Sequence, residues 1–64
     1  MDAREVVLQH MDEEVTLLNM LAVLAEQSGM PGSAAIAMQC AESIERAAWL
    51  ERQAATRGAP CLLS

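Results

Sequence analysis

SGMPGS, residues 28–33, places two glycines and a proline near the middle of a 64-residue chain. Gly29 suits the left-handed residue that follows the last turn of a helix. Pro31 cannot continue a helix, because its nitrogen carries no hydrogen to donate. Ser33 is a residue type that caps the start of a helix. The stretch therefore predicts a short turn between two helices.

Long segments without helix breakers lie on both sides of this turn. Residues 1–28 and 34–57 contain no glycine and no proline, and strong helix formers such as alanine, leucine, glutamate and arginine are common there. A turn this short makes the two helices antiparallel neighbours. We therefore predict an all-α fold, an antiparallel two-helix hairpin over residues 1–57, with helix 1 over 3–28, the turn over 29–33 and helix 2 over 34–57.

The outer ends of the two helices are also marked by residue type. Asp2, followed three residues later by Glu5, resembles a capping box at the start of helix 1. Gly58 and Pro60 lie where helix 2 is predicted to stop. Residues 58–64 are then a short C-terminal tail.

Helix 1 has a wider apolar surface than one neighbouring helix can cover. Its apolar side chains span an arc of roughly 200°, against about 100° for the stripe of an ordinary surface helix. The facing side of helix 2 is rich in alanine, so it permits close approach but supplies little volume. The simplest way to cover the remainder is a homodimer, in which two hairpins form a four-helix bundle. The alternative is a groove for a helix of another protein.

Two sets of side chains are assigned to this packing. The first is apolar and is expected to form the core and the dimer seam. It comprises Val7, Met11, Val15, Leu18, Leu21, Ala25, Cys40 and Ile44. The second is polar, lies toward the open end of the hairpin and is expected to pair charges and fix the register of assembly. It comprises His10, Glu14, Glu51 and Arg52.

Trp49 lies opposite the alanine-rich side of helix 2, as does Met38, and Glu45 lies between them. Tryptophan is often the anchor of a protein interface, so these three residues predict a partner-binding surface. The alternative is that Trp49 packs in the core or the dimer seam. Asp12 and Glu13 belong to an acidic patch, which is either a solvated face or a contact for a basic partner.

The charge of the chain argues against nucleic acid as a partner. The net charge of −5 falls within residues 1–28, and the chain has four arginines and no lysine. Such a chain is a poor match for phosphate backbones. The most apolar run, residues 15–25, is shorter than the ~20 residues that a membrane span requires, and the N-terminus lacks the basic start of a signal peptide. We expect no membrane contact and a cytoplasmic location, and the alanine-rich, lysine-free composition suggests a bacterial or phage source.

No catalytic arrangement stands out, so neither enzyme activity nor a cofactor is expected. The chain has one histidine and no glycine-rich phosphate loop. His10, Glu14 and Glu51 could approach one another only across facing helices, and the Glu-x-x-His spacing of di-metal bundles is missing. No metal is therefore expected, and Cys40 is interpreted as a small core residue.

The last four residues, 61–64, have the spelling of a prenylation signal, with Cys61 as the acceptor. One lipid chain anchors a protein only weakly without a polybasic stretch or a second lipid. This acidic chain has no polybasic stretch, so a peptide prenylated at Cys61 is a minor alternative.

The main functional prediction is a small cytoplasmic module for protein–protein interaction. It would be a regulator, inhibitor or escort of another protein that acts through helix packing, and a phage or plasmid origin fits its small size. The alternative is a structural subunit, or a co-chaperone of the secretion type, whose apolar face is used only in its own assembly.

Overall fold

Two helices make up the structure, a computed structural model that describes the backbone of residues 2–63 and the side chains of residues 2–55. Helix α1 spans Ala3–Gln27 and helix α2 spans Pro31–Leu63. The chain reverses direction between them, and the two helices pack against each other along their length. The predicted all-α hairpin is confirmed.

The turn forms as its residue types predict. Gly29 has a φ of 74°, and its N–H donates to the carbonyl oxygen of Glu26 (3.2 Å). The N–H of Met30 donates to the carbonyl oxygen of Ala25 (2.8 Å). This pair of bonds defines a Schellman motif, which satisfies carbonyl groups that the end of α1 would otherwise leave without a partner.

Replacing Gly29 with alanine is expected to lower the free energy of unfolding by about 1 kcal/mol, because a Cβ is penalised in the left-handed region. No atom lies within 4 Å of the position that this Cβ would take, so the cost is conformational rather than steric. Thermal melting at a fixed protein concentration should show a fall of about 4–8 °C. Gly32→Ala is the control, because Gly32 is helical and has open space around it. An unchanged melting temperature for Gly29→Ala would contradict the assigned turn.

Helix α2 begins earlier than predicted. Its first residue is Pro31, because the fixed φ and the missing N–H of proline suit the first position of a helix. The carbonyl oxygen of Met30 accepts from the N–H of Ala34 (3.0 Å). Met30 therefore holds the capping position that the sequence assigned to Ser33.

Helix α2 also ends later than predicted. Its backbone continues through Gly58 and Pro60 to Leu63, where the sequence predicted a tail after residue 57. A proline near the end of a helix removes one backbone hydrogen bond, and few turns remain to be disrupted beyond it. At the other end of the hairpin, the side chain of Asp2 accepts from the N–H of Arg4 (3.2 Å), which is the predicted cap of α1.

The two helices meet along residues spaced alternately three and four apart. We call this contact the alanine seam. It comprises Leu8, Met11, Val15, Leu18, Ala22 and Ala25 of α1 and Ala34, Ala37, Ala41, Ile44 and Ala48 of α2. The six buried residues of the described chain are all alanines of this seam, and its larger members are half-buried. Small side chains let the helices approach closely but bury little apolar surface.

The hairpin is a single layer. Its shortest dimension is 10 Å, the diameter of one helix. Its accessible surface is 4993 Å², whereas a compact monomer of 6.9 kDa would expose about 4,000 Å². Both broad sides of the layer are therefore open to solvent or to another chain.

Candidate interaction surface

One broad side of the hairpin, which we call the apolar face, carries large exposed hydrophobic side chains. At 100° per residue its positions lie to one side of the alanine seam on both helices. The apolar face comprises Val7, His10, Glu14, Leu17, Leu21 and Leu24 of α1 and Ile36, Cys40, Ser43, Ala47 and Leu50 of α2. Its six valine, leucine and isoleucine side chains are each more than half exposed.

The half of the apolar face that lies away from the turn contains two shallow depressions. One shallow depression is lined by Val6, Val7, His10, Met11, Glu14 and Ile44. A second adjoins it and is lined by Arg4, Val7, Leu8, Met11, Ala47 and Glu51. The half beside the turn instead carries three leucines and an isoleucine. Four of the six large aliphatic side chains of the face thus lie beside the turn, and the two shallow depressions lie in the other half.

The opposite broad side, which we call the charged face, differs in chemistry. It comprises Glu5, Asp12, Thr16, Asn19, Val23 and Glu26 of α1 and Ala35, Met38, Glu42, Glu45, Trp49 and Arg52 of α2. Glu42, Glu45 and Trp49 line a depression there together with Arg46. A hairpin with one apolar and one charged side is amphipathic as a whole layer.

Two ion pairs join the helices near the open end. The Nη2–H of Arg52 donates to Oδ2 of Asp12 at 2.8 Å. Nη1 of Arg4 lies 3.8 Å from Oε2 of Glu51, and the same guanidinium donates to the backbone carbonyl oxygen of Glu51. These contacts tie the first half of α1 to α2 where the alanine seam ends.

Arg52→Ala is expected to lower the free energy of unfolding by no more than about 1 kcal/mol, because both partners of this ion pair are about half exposed to solvent. Screening should shrink the effect further as salt is added. Chemical denaturation of Arg52→Ala, Asp12→Ala and the double variant isolates the pair energy. A coupling energy that persists at high salt would contradict this interpretation.

The structure divides the polar set predicted near the open end. Glu51 and Arg52 take part in the two ion pairs. His10 and Glu14 instead lie on the apolar face, and the Nδ1–H of His10 donates to the carbonyl oxygen of Val6 (2.8 Å). A role of these four residues in the register of assembly stays a prediction.

The structure also divides the eight apolar residues that were predicted as one core and dimer seam. Met11, Val15, Leu18, Ala25 and Ile44 lie in the alanine seam. Val7, Leu21 and Cys40 lie on the apolar face and are exposed. The wide apolar arc of helix 1 serves two surfaces at right angles, and the periodicity alone does not separate them.

Leu50 and Ile36 are absent from the residue sets predicted from the sequence, and both are exposed on the apolar face. Ile36, Ser43 and Leu50 are spaced by seven residues, as are Leu17 and Leu24 of α1. A seven-residue spacing returns to the same side of a helix in a coiled hairpin, so this repeat is the signal that could have found the face.

The residues predicted to bind a partner are exposed. Trp49 retains 57% of its accessible surface, and on the charged face Glu45 lies about one turn from it and Met38 about three turns from it. Glu13 is exposed on the outer edge of α1, whereas Asp12 is paired with Arg52. Exposure fits a binding role for Trp49, and that role stays a prediction.

Other kinds of site are not found in the part of the chain that the structure describes. No stretch of helix there is sufficiently long and apolar to pass through a bilayer. The described His, Cys, Asp and Glu residues form no cluster of three or more that could hold a metal ion. Cys40 has a free, exposed thiol. The side chain of Cys61 lies outside the described residues, so its modification stays a hypothesis.

Comparison with known proteins gives no match: no family model fits the chain, and no curated protein or solved structure is significantly similar to it. What the fold and its surface define is a class, an amphipathic helical hairpin whose large hydrophobic side chains face outward.

Proposed function

We propose that the protein is a protein–protein interaction module, a small regulator, inhibitor or escort that acts by packing its apolar face against helices of another chain. The observation that supports this most directly is the division of the layer. Six large aliphatic side chains stand exposed on one side, while ionised residues are concentrated on the other. Soluble monomers rarely expose a contiguous apolar patch of this kind without using it.

The amount of surface supports the same proposal. The hairpin exposes about 1,000 Å² more than a compact monomer of its mass would, as its accessible surface of 4993 Å² shows. A standard protein interface buries about 800 Å² on each partner. Each aliphatic side chain that becomes fully buried contributes about 1.5–3 kcal/mol. The hairpin as a whole therefore exposes enough extra surface for one stable interface.

A four-helix bundle is the simplest form that such an interface can take. Two hairpins stacked through their apolar faces would bury this surface on both and leave the charged faces outside. A module that binds another protein and a structural subunit that binds only itself would share this face. They differ in whether the face also accepts a foreign chain.

Capture with matched baits tests the proposal. Tagged wild type, Leu17→Glu and Val23→Glu are each expressed together with an untagged copy of the wild-type chain. Wild type and Val23→Glu should retain the same companions, and Leu17→Glu should lose them. The untagged copy reports self-association in the same experiment. If Leu17→Glu retains every companion of the wild type, binding does not use the apolar face and the proposal is wrong.

A further inference from the structure

We infer that the occupant of the apolar face is a second copy of this chain, placed in reverse so that the turn end of each hairpin lies on the open end of the other. This inference rests on the proposed function and names the partner for the same face. It makes the bundle a two-fold dimer in which α1 stacks on α1 of the partner copy and α2 on α2.

The relief of the apolar face favours a reversed copy. Four of the six large aliphatic side chains, those of Leu17, Leu21, Leu24 and Ile36, lie in the half near the turn, whereas the two shallow depressions lie in the other half, around Val7 and Ala47. Reversal places the half with four large side chains in one copy on the half with the depressions in the other, at both ends of the dimer. A closed two-fold interface requires such self-complementarity.

The spacing on α2 supports the same arrangement. Ser43 lies midway between Ile36 and Leu50, and the small Cys40 and Ala47 flank it. Reversed stacking about Ser43 sets Ile36 of one copy against Leu50 of the other, and it brings Cys40 to within one residue of the position opposite Ala47. The small residues at the centre let the two α2 helices approach closely, and the large residues close the contact at each end.

The residues of the apolar face on α1 are spaced symmetrically about a point at the same height as Ser43. Reversal about the midpoint between Val15 and Thr16 sets Leu24 against Val7 and Leu21 against His10. This midpoint and Ser43 each lie about fourteen residues from Gly29, so they are at the same height in an antiparallel hairpin. A single two-fold axis can therefore pass between the two α1 helices and between the two α2 helices.

Charge separates the reversed arrangement from one with both turns at the same end. Residues 1–14 hold five acidic residues and one arginine. Copies with both turns at the same end would place the two acidic segments at one end of the bundle. Reversal directs the two segments toward opposite ends, so that only their last residues, such as Glu14, approach each other.

Glu14 carries a further consequence that a foreign partner would not produce. It lies on the apolar face close to the centre of the reversed contact. A second copy brings the two Glu14 carboxylates toward each other in a mostly apolar layer, which opposes association through like charge and desolvation. Glu14→Gln is therefore expected to tighten the dimer several-fold in sedimentation equilibrium. A weakened or unchanged dimer would contradict the placement of Glu14.

A cysteine at the two-fold axis tests the arrangement. In a chain that also carries Cys40→Ser and Cys61→Ser, Ser43→Cys should form an intermolecular disulfide under mild oxidation. Glu42→Cys is the control, because position 42 is the mirror image of position 43 on the charged face. Thiols held together have an effective concentration in the millimolar range, so linkage at position 43 should be at least roughly tenfold faster than at position 42.

The outcomes separate this inference from the proposed function. Fast linkage of Ser43→Cys that disappears when Leu17→Glu is added supports the reversed dimer. Equal rates for Ser43→Cys and Glu42→Cys, with companions still lost in Leu17→Glu, overturn the reversed dimer and leave the interaction module standing. Linkage between Leu17→Cys and Ser43→Cys in a mixture, and not between two Ser43→Cys chains, overturns the orientation, because it requires α1 to stack on α2 of the partner copy.

Discussion

Leu17→Glu is expected to weaken self-association at least ~100-fold. Leu17 is 57% exposed in the hairpin and sits near the centre of the apolar face. A two-fold interface loses it twice, and each loss removes about 2 kcal/mol of apolar burial before the cost of a buried charge is counted. Since every 1.4 kcal/mol changes a dissociation constant tenfold, sedimentation velocity at micromolar concentration should show a monomer.

Val23→Glu is the matched control. Val23 is 54% exposed and lies on the charged face of the same helix, closer to the turn than Leu17. The two variants receive the same charge at nearly the same exposure, so a difference between them isolates the apolar face. We expect Val23→Glu to associate as the wild type does. Equal weakening by both variants would indicate that added negative charge, rather than the position of the charge, governs association.

Thermal melting provides a second measurement of the same pair. A chain of this length is marginally stable alone, and association stabilises the folded state by an amount that grows with the logarithm of protein concentration. The melting temperature of the wild type and of Val23→Glu should rise with protein concentration, whereas that of Leu17→Glu should not. A concentration-independent wild type would contradict self-association.

The hairpin was predictable because its turn is decided by local chemistry. Gly29 adopts the positive φ that glycine tolerates, and Pro31 starts a helix at the first position. These choices depend on neighbours in sequence and not on distant packing. The end of α2 was placed too early for the complementary reason: Gly58 and Pro60 weaken a helix, but neither forbids the backbone from continuing to Leu63.

The division of the apolar residues between two surfaces was not predictable from the same pattern. Leu17 and Leu18 are neighbours in one broad apolar arc, yet Leu18 is half-buried in the alanine seam and Leu17 is exposed on the apolar face. A charge at position 18 would therefore break the hairpin itself, while a charge at position 17 tests the assembly. The position of α2 relative to α1 decides between them, and that position follows from which alanines make the closest contact.

The chain that covers the apolar face could not be predicted from the sequence pattern for a different reason. Leu21 or Ile36 would be buried equally well by a copy of this chain or by a foreign helix of suitable shape. Only features that refer to symmetry distinguish the two, such as the placement of Ser43 and Glu14 near the proposed two-fold axis. Substitutions at residues that contribute little apolar surface are therefore the most decisive tests of which chain occupies the face.

Ala37→Leu is expected to destabilise the hairpin strongly. Ala37 is 3% exposed and belongs to the run of buried alanines beside the turn. A larger side chain there must push the helices apart or adopt a strained rotamer, which typically costs about 1–3 kcal/mol. Total stabilities of about 0.05–0.15 kcal/mol per residue leave a chain of this size with only a few kcal/mol. Circular dichroism should show a large fall in the melting temperature and a loss of helix at 37 °C.

Ala35→Leu makes the same substitution two residues away, where the side chain is exposed on the charged face. It should leave the melting temperature nearly unchanged, because leucine and alanine are both good helix formers and nothing needs to move. If Ala37→Leu instead melts at or above the wild-type temperature, the seam has space for larger side chains. The hairpin could then bury its own leucines by shifting the helices, and no partner would be needed to cover the apolar face. The alanine seam and the apolar face therefore depend on the same physical condition: close contact between the helices leaves the large side chains exposed.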